Sequence, residues 1–123
     1  YWANNGTNTI GRANLDGTDA NQSFIGGASN PAGVAVDAGH VYWANNGTNT
    51  IGRANLDGTD ANQSFIGGAS NPAGVAVDAG HVYWANNGTN TIGRANLDGT
   101  GANQSFIVLG EASDPFGVAV GAG

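Results

Sequence analysis

Residues 1–41 and 42–82 are the same sequence letter for letter, and a third copy starts at Tyr83 with the same 41-residue spacing. Such a chain must fold as a row of equal supersecondary units, each burying its apolar side against the next. Turn-forming residues divide the unit into four short extended runs. Across the first junction, Gly33 to Asp37 is apolar and β-branched, Ala38-Gly39 makes a tight connection, and His40 to Ala44 carries a Tyr-Trp pair. The Asn-Asn-Gly-Thr-Asn cluster at 45–49 then turns the chain, because Asn-Gly readily supplies the positive φ angles of a hairpin. Thr50 to Leu56 is the third run, Asp57-Gly58 the next turn, Ala61 to Ile66 the fourth run, and Gly67 to Pro72 leads into the next unit.

Four antiparallel strands in about 40 residues is the content of one β-propeller blade. The expected fold class is therefore all-β: a propeller with three four-stranded blades per chain, in units 1–41, 42–82 and 83–123. A leucine-rich or ankyrin-like solenoid needs a helix or a leucine ladder in every unit, and neither is present. The large apolar residues are few and regularly spaced, as in Trp2, Ile10, Leu15, Phe24, Val34 and Val36. Such a core is thin and assembled from many small pieces.

The residues Tyr-Trp at 1–2, 42–43 and 83–84, Ile-Gly-Arg-Ala-Asn-Leu-Asp-Gly at 10–17, 51–58 and 92–99, and Pro-Ala-Gly-Val-Ala-Val-Asp at 31–37 and 72–78 form one pattern. It resembles the YWTD class of propeller blades, found in lipoprotein-receptor ectodomains and related bacterial proteins, and the resemblance covers the whole chain. Where that family carries the aspartate of its name, this sequence has Asn4, Asn45 and Asn86. The resemblance implies that an aspartate there ties neighbouring blades through ionic hydrogen bonds, with Arg12, Arg53 and Arg94 as the cations whose role the asparagines put in question.

Propellers contain typically about four to eight blades, so three leave two apolar blade faces exposed. The sequence opens at Tyr1, in the second strand of a blade, and ends with Gly117-Val118-Ala119-Val120-Gly121, which matches a first strand. The expectation is a circularly permuted arrangement in which this C-terminal strand completes a blade begun at Tyr1 of another copy. Tyr1, Trp2, Leu109, Phe116, Val118 and Val120 are then the residues of the subunit joint. A head-to-tail contact closes only if its rotation closes. Two copies of three blades make a six-bladed homodimer, the number the resemblance favours, and three make a nine-bladed homotrimer, which is slightly preferred. The steps are about 60° and about 40° per blade, a difference that loops and small side chains can absorb.

The third copy is unchanged to Thr100 and then departs. Gly101 replaces an aspartate, Val108-Leu109 is inserted after Ile107, Glu111 stands for glycine, Asp114 for asparagine, Phe116 for alanine and Gly121 for aspartate. These changes read as adjustment of the joint; a lengthened binding loop is the minority alternative.

Nine acidic residues against three arginines, a net charge of -6, exclude a sequence-independent grip on nucleic acid or an anionic membrane. Without cysteine there is neither a disulfide nor a thiolate metal site. Asp37 and His40, and likewise Asp78 and His81, flank a two-residue turn, but a zinc site wants more ligands than one blade supplies. A hydrogen bond pinning the hairpin is the simpler expectation. Asp16-Gly17-Thr18-Asp19 lacks the ordered ligands of a calcium loop and reads as a turn in which an aspartate bonds its own backbone. Ser23, Ser64 and Ser105 have no neighbouring histidine, and identical units do not make the asymmetric constellation of an active site. No catalytic, metal or cofactor residue is assigned.

Six Asn-x-Ser/Thr sequons begin at Asn5, Asn21, Asn46, Asn62, Asn87 and Asn103, and Asn5-Gly6 with its copies is expected to deamidate. Two identical units are hard to maintain under ordinary divergence. The expected function is that of an engineered or newly amplified self-assembling scaffold; the alternative is a piece of a natural extracellular propeller that binds a protein or a glycan.

Overall fold

A computed structural model describes residues 1–121. Every regular element among them is a strand. The first sheet comprises β1 (Trp2–Asn4), β2 (Thr9–Arg12) and β3 (Asn21–Ile25), the second β4 (Pro31–Val36), β5 (His40–Asn45), β6 (Thr50–Asn55) and β7 (Asn62–Ile66). The third comprises β8 (Pro72–Val77), β9 (His81–Asn86), β10 (Thr91–Asn96) and β11 (Asn103–Val108). All are antiparallel meanders in chain order. The expected blades are present, two with four strands and the first with three.

Each hairpin follows from its own residues. In the central one, Asn45 pairs with Thr50 and Trp43 with Gly52. The loop between them closes through Asn49 N–H donating to Asn45 C=O at 3.0 Å, with Asn49 at φ 61°, a conformation asparagine tolerates well. Glycine at 52 is a packing requirement, since any Cβ there would overlap the Trp43 indole lying across it. The indole N–H in turn donates to Gln63 Oε1 at 2.9 Å, so the ring spans its own blade from second strand to fourth.

Two apolar layers lie between the three blades. Ile10, Ile25, Ala28, Val41, Trp43 and Ala54 fill the first. The second includes Tyr42, Ile51, Ile66, Val75, Val82 and Trp84. The innermost strands approach closely, for a Cβ on Gly33 would sit 2.7 Å from Ala73 C=O. Beyond β8 the same place is taken by the C-terminal stretch: Gly74 N–H donates to Phe116 C=O at 2.7 Å, and a Cβ on Gly74 would lie 2.5 Å from that oxygen. Residues 117–121, expected as a strand, therefore run where an inner strand runs but pair with no second strand and form no regular element. A ladder needs a neighbour, and the described residues supply none.

The insertion in the third unit is distributed differently from its sequence alignment. β11 gains a residue, so Val108 pairs with Thr91, and Leu109 N–H donates to Asn90 C=O just as Ala28 and Ala69 donate to Asn8 and Asn49. The extra length emerges after Leu109, in Gly110-Glu111-Ala112, with Ala112 at φ 63°.

Candidate functional site

Adjacent blades are joined by one set of contacts, present twice. Ser29 N–H donates to Asn45 Oδ1 at 2.9 Å and Ser70 N–H to Asn86 Oδ1 at 2.9 Å. The same asparagines are fully buried and use Nδ2 within their own blade, Asn45 donating to Gln63 C=O at 3.0 Å. The position that is aspartate in YWTD blades thus remains a tie between blades, made by a neutral amide. Gly47 N–H donates to Ser29 C=O at 3.0 Å and Gly88 N–H to Ser70 C=O at 3.1 Å. Gln63 and Gln104 reach back from the outer strand to Gly26 C=O and Gly67 C=O, each at 2.9 Å.

At the rim, Phe24 packs under Gly58 and Phe65 under Gly99. Arg53 lies 4.1 Å from the Phe65 ring centroid, a cation–π placement, and donates to Leu97 C=O at 3.0 Å. Arg53 thus joins its blade to the next through a backbone carbonyl while lying over a phenylalanine ring of its own blade.

The two ends of the row expose one half each of this set. On the first blade, Asn4 Oδ1, Gly6 N–H and Gln22 Nε2 have no partner from a preceding blade among the described residues. Trp2 is only partly buried, whereas Trp43 and Trp84 are fully buried, and Leu15 is completely exposed. On the third blade Ile107 is 46% exposed against 3% for Ile25 and Ile66. Arg94 lies 4.0 Å from the exposed Phe106 ring and, among the described residues, has no carbonyl acceptor like the one Arg53 finds. Ser113 N–H turns back to Gly110 C=O at 3.2 Å.

Of the expected joint residues, Tyr1 and Trp2 lie on the first face; Leu109, Phe116, Val118 and Val120 lie on the third, with Phe116 67% and Val120 39% exposed. The chain does not bring the two groups together. Exposed Leu15, Phe106 and Ile107, and part-buried Arg94, also belong to these faces. Comparing each copy's neighbours along the repeat identifies them; sequence reasoning passed over them because the units look alike.

The acid–histidine turns are structural. Asp37 Oδ1 accepts from Gly39 and His40 N–H, at 2.9 and 2.8 Å, and Oδ2 from the Tyr42 hydroxyl at 2.8 Å. Desolvation works against ionisation, but these donors outweigh it and hold the Asp37 carboxyl below the usual range. Burial and then the Asp37 carboxylate push the Tyr42 hydroxyl up to about 12. Asp16 accepts from the Thr18 hydroxyl and N–H, the expected self-bonded turn, and both bonds lower its pKa. Among the described residues no three His, Cys, Asp or Glu side chains converge on a point that could hold a metal.

The family model described as low-density lipoprotein receptor repeat class B matches residues 39–79, one complete unit. No curated protein matches the chain. Among solved structures, a chain of a nidogen/laminin complex is 26% identical with a TM-score of 0.69, over 83% of this chain and 43% of that one. Virginiamycin B lyase from Staphylococcus aureus, 22% identical, has a TM-score of 0.73 over 95% of this chain and 40% of its own. A streptogramin B lyase, 24% identical, has a TM-score of 0.70 over 96% and 40%. The chain spans about two fifths of the length of these structures. The two lyases share its fold.

Proposed function

Since the repeating unit is of the low-density lipoprotein receptor class B type, we propose that the chain is a self-assembling β-propeller scaffold without catalytic activity, its two open faces joining copies head to tail into a ring. The observation that carries this reading is complementarity. Three groups of the third blade have counterparts on the first: Arg94 for Leu15 C=O, Phe106 for Gly17, and Ser113 C=O for Gly6 N–H. Each pairing repeats one already made inside the chain, by Arg53 with Leu97, Phe24 with Gly58, and Ser29 with Gly47. The C-terminal stretch beside Gly74 lies where the inner strand of another copy's first blade would run. Three copies give nine blades and two give six, with the trimer preferred.

The non-catalytic part rests on how the polar groups are used. The carboxylates of Asp16, Asp37, Asp57, Asp78 and Asp98 hold turns, and the arginines lie over phenylalanine rings. Turnover of virginiamycin B by the purified chain would contradict it. The letter-for-letter units favour an engineered or newly amplified origin. A second reading, a piece of a natural extracellular propeller that binds a protein or a glycan, draws on the likeness to the nidogen/laminin complex.

Leu15→Asp tests the assembly directly. Leu15 is wholly exposed, so the change leaves the internal layers intact while placing a charge in the joint. The expected result is a shift in mass toward the single chain with an unchanged β-sheet spectrum. An unchanged oligomer mass would overturn the head-to-tail joint.

A further inference from the structure

The Asn-Gly pairs 5–6, 46–47 and 87–88 share one local sequence and one turn, with Asn8, Asn49 and Asn90 at φ 60°, 61° and 59°. Their surroundings differ. Gly47 and Gly88 N–H are held by Ser29 and Ser70 C=O, and a Cβ on either glycine would overlap the serine Oγ of the preceding blade. Asn46 and Asn87 also donate from Nδ2 to Pro72 and Pro115 C=O, at 3.4 and 3.3 Å. Gly6 N–H has no acceptor among the described residues, a Cβ there would meet nothing within 4 Å, and Asn5 is exposed.

We infer that Asn5-Gly6 is a selective site of spontaneous deamidation whose reactivity reports whether the ring is closed. In this reaction the Gly6 backbone nitrogen, giving up its proton, attacks Asn5 Cγ. The new N–Cγ bond forms as Cγ–Nδ2 breaks, and the departing amide takes that proton and leaves as ammonia. Water then opens the cyclic imide to aspartate or isoaspartate. The attacking nitrogen must be free of its hydrogen bond and the turn must be able to rearrange. At Asn46 and Asn87 the neighbouring blade denies both. At Asn5 it denies neither until Ser113 C=O of another copy takes the Gly6 N–H. This last step rests on the proposed self-assembly; the selectivity within a single chain does not.

Trypsin separates the sites. Cleavage after Arg12, Arg53 and Arg94 puts Asn5 in the short peptide 1–12, while Asn46 and Asn87 lie in two longer peptides of identical sequence. Native protein is held in mildly alkaline buffer, separated by mass into ring and single chain, then digested and fragmented to locate aspartate and isoaspartate. Leu15→Asp supplies the single chain. There, Asn5 is expected to react about tenfold faster than the mean of the other two, as loss of about one structural hydrogen bond implies, and Gly6→Ala should abolish the excess. In the ring, Asn5 is expected to match Asn46 and Asn87. Equal slow rates in the single chain overturn the selectivity, and an Asn5 excess in the ring overturns the shielding. Absence of any ring is seen in the mass alone and refutes the assembly reading separately.

Discussion

The Tyr42 hydroxyl donates to Asp37 Oδ2 at 2.8 Å, and Tyr83 repeats the bond to Asp78 at 2.9 Å. Tyr1 has no such aspartate in the chain. Its hydroxyl donates instead to Leu56 C=O at 2.9 Å, the acceptor that Arg53 uses one blade later on Leu97. Even when another copy supplies the missing inner strand, position 121 is glycine where 37 and 78 are aspartate. A blade completed in the proposed head-to-tail joint would therefore lack this bond, and the difference lies in the sequence of the third unit.

Tyr42→Phe should accordingly cost about 1 kcal/mol, one net hydrogen bond. It leaves Asp37 with its two backbone donors. The midpoint of urea unfolding, compared with that of the parent, is the check.

Alkaline pH acts through the same pair. The Tyr42 hydroxyl is raised from 10.0 to about 12 in the fold, so its neutral form is favoured there. Its contribution is complete below about pH 10, where the unfolded chain is also neutral, and is lost as pH rises toward about 12. Stability followed by urea unfolding should therefore fall across that window, and Tyr42→Phe should flatten the fall.

Restoring the aspartate of YWTD blades should harm this protein. Asn45 is fully buried, and its Nδ2 faces Gln63 C=O, Gln63 Oε1 and Thr50 Oγ1 at 3.0, 3.1 and 3.2 Å. An aspartate has no proton to offer these oxygens and brings a charge without a cation beside it. Asn45→Asp should destabilise by about 3 kcal/mol or more, read by thermal and urea unfolding.

A steric test separates two glycines in equivalent hairpins of successive blades. Gly52→Ala drives a methyl group into the Trp43 indole and should cost about 1–3 kcal/mol, the range of overpacking. Gly6→Ala meets open space in the single chain and should be nearly silent in its urea unfolding.

The blade itself was legible in the sequence. Its turns are short and self-contained, so Asn45 to Asn49 and Asp57-Gly58 reveal the hairpins without help from the rest of the fold. The roles of Asp37 and Asp16 were legible for the same reason: both bond within a few residues. What the sequence hid depends on neighbours. Leu15, Leu56 and Leu97 are the same letter in the same context, yet only Leu15 is wholly exposed, because burial is decided by the blade alongside. The role of Asn45 between blades and the site of the extra residues, Gly110 to Ala112 instead of Val108-Leu109, are likewise contacts between units. A period alone cannot display them.

The most direct test of the account is the absolute mass of the unmodified chain in solution, by native mass spectrometry supported by light scattering across a dilution series. The account predicts a closed species of three times the 12.2 kDa chain, or twice if six blades close, which persists as concentration falls. A well-folded species with the mass of one chain would contradict it, since Leu15, Phe106 and Ile107 would then remain in water on a stable molecule.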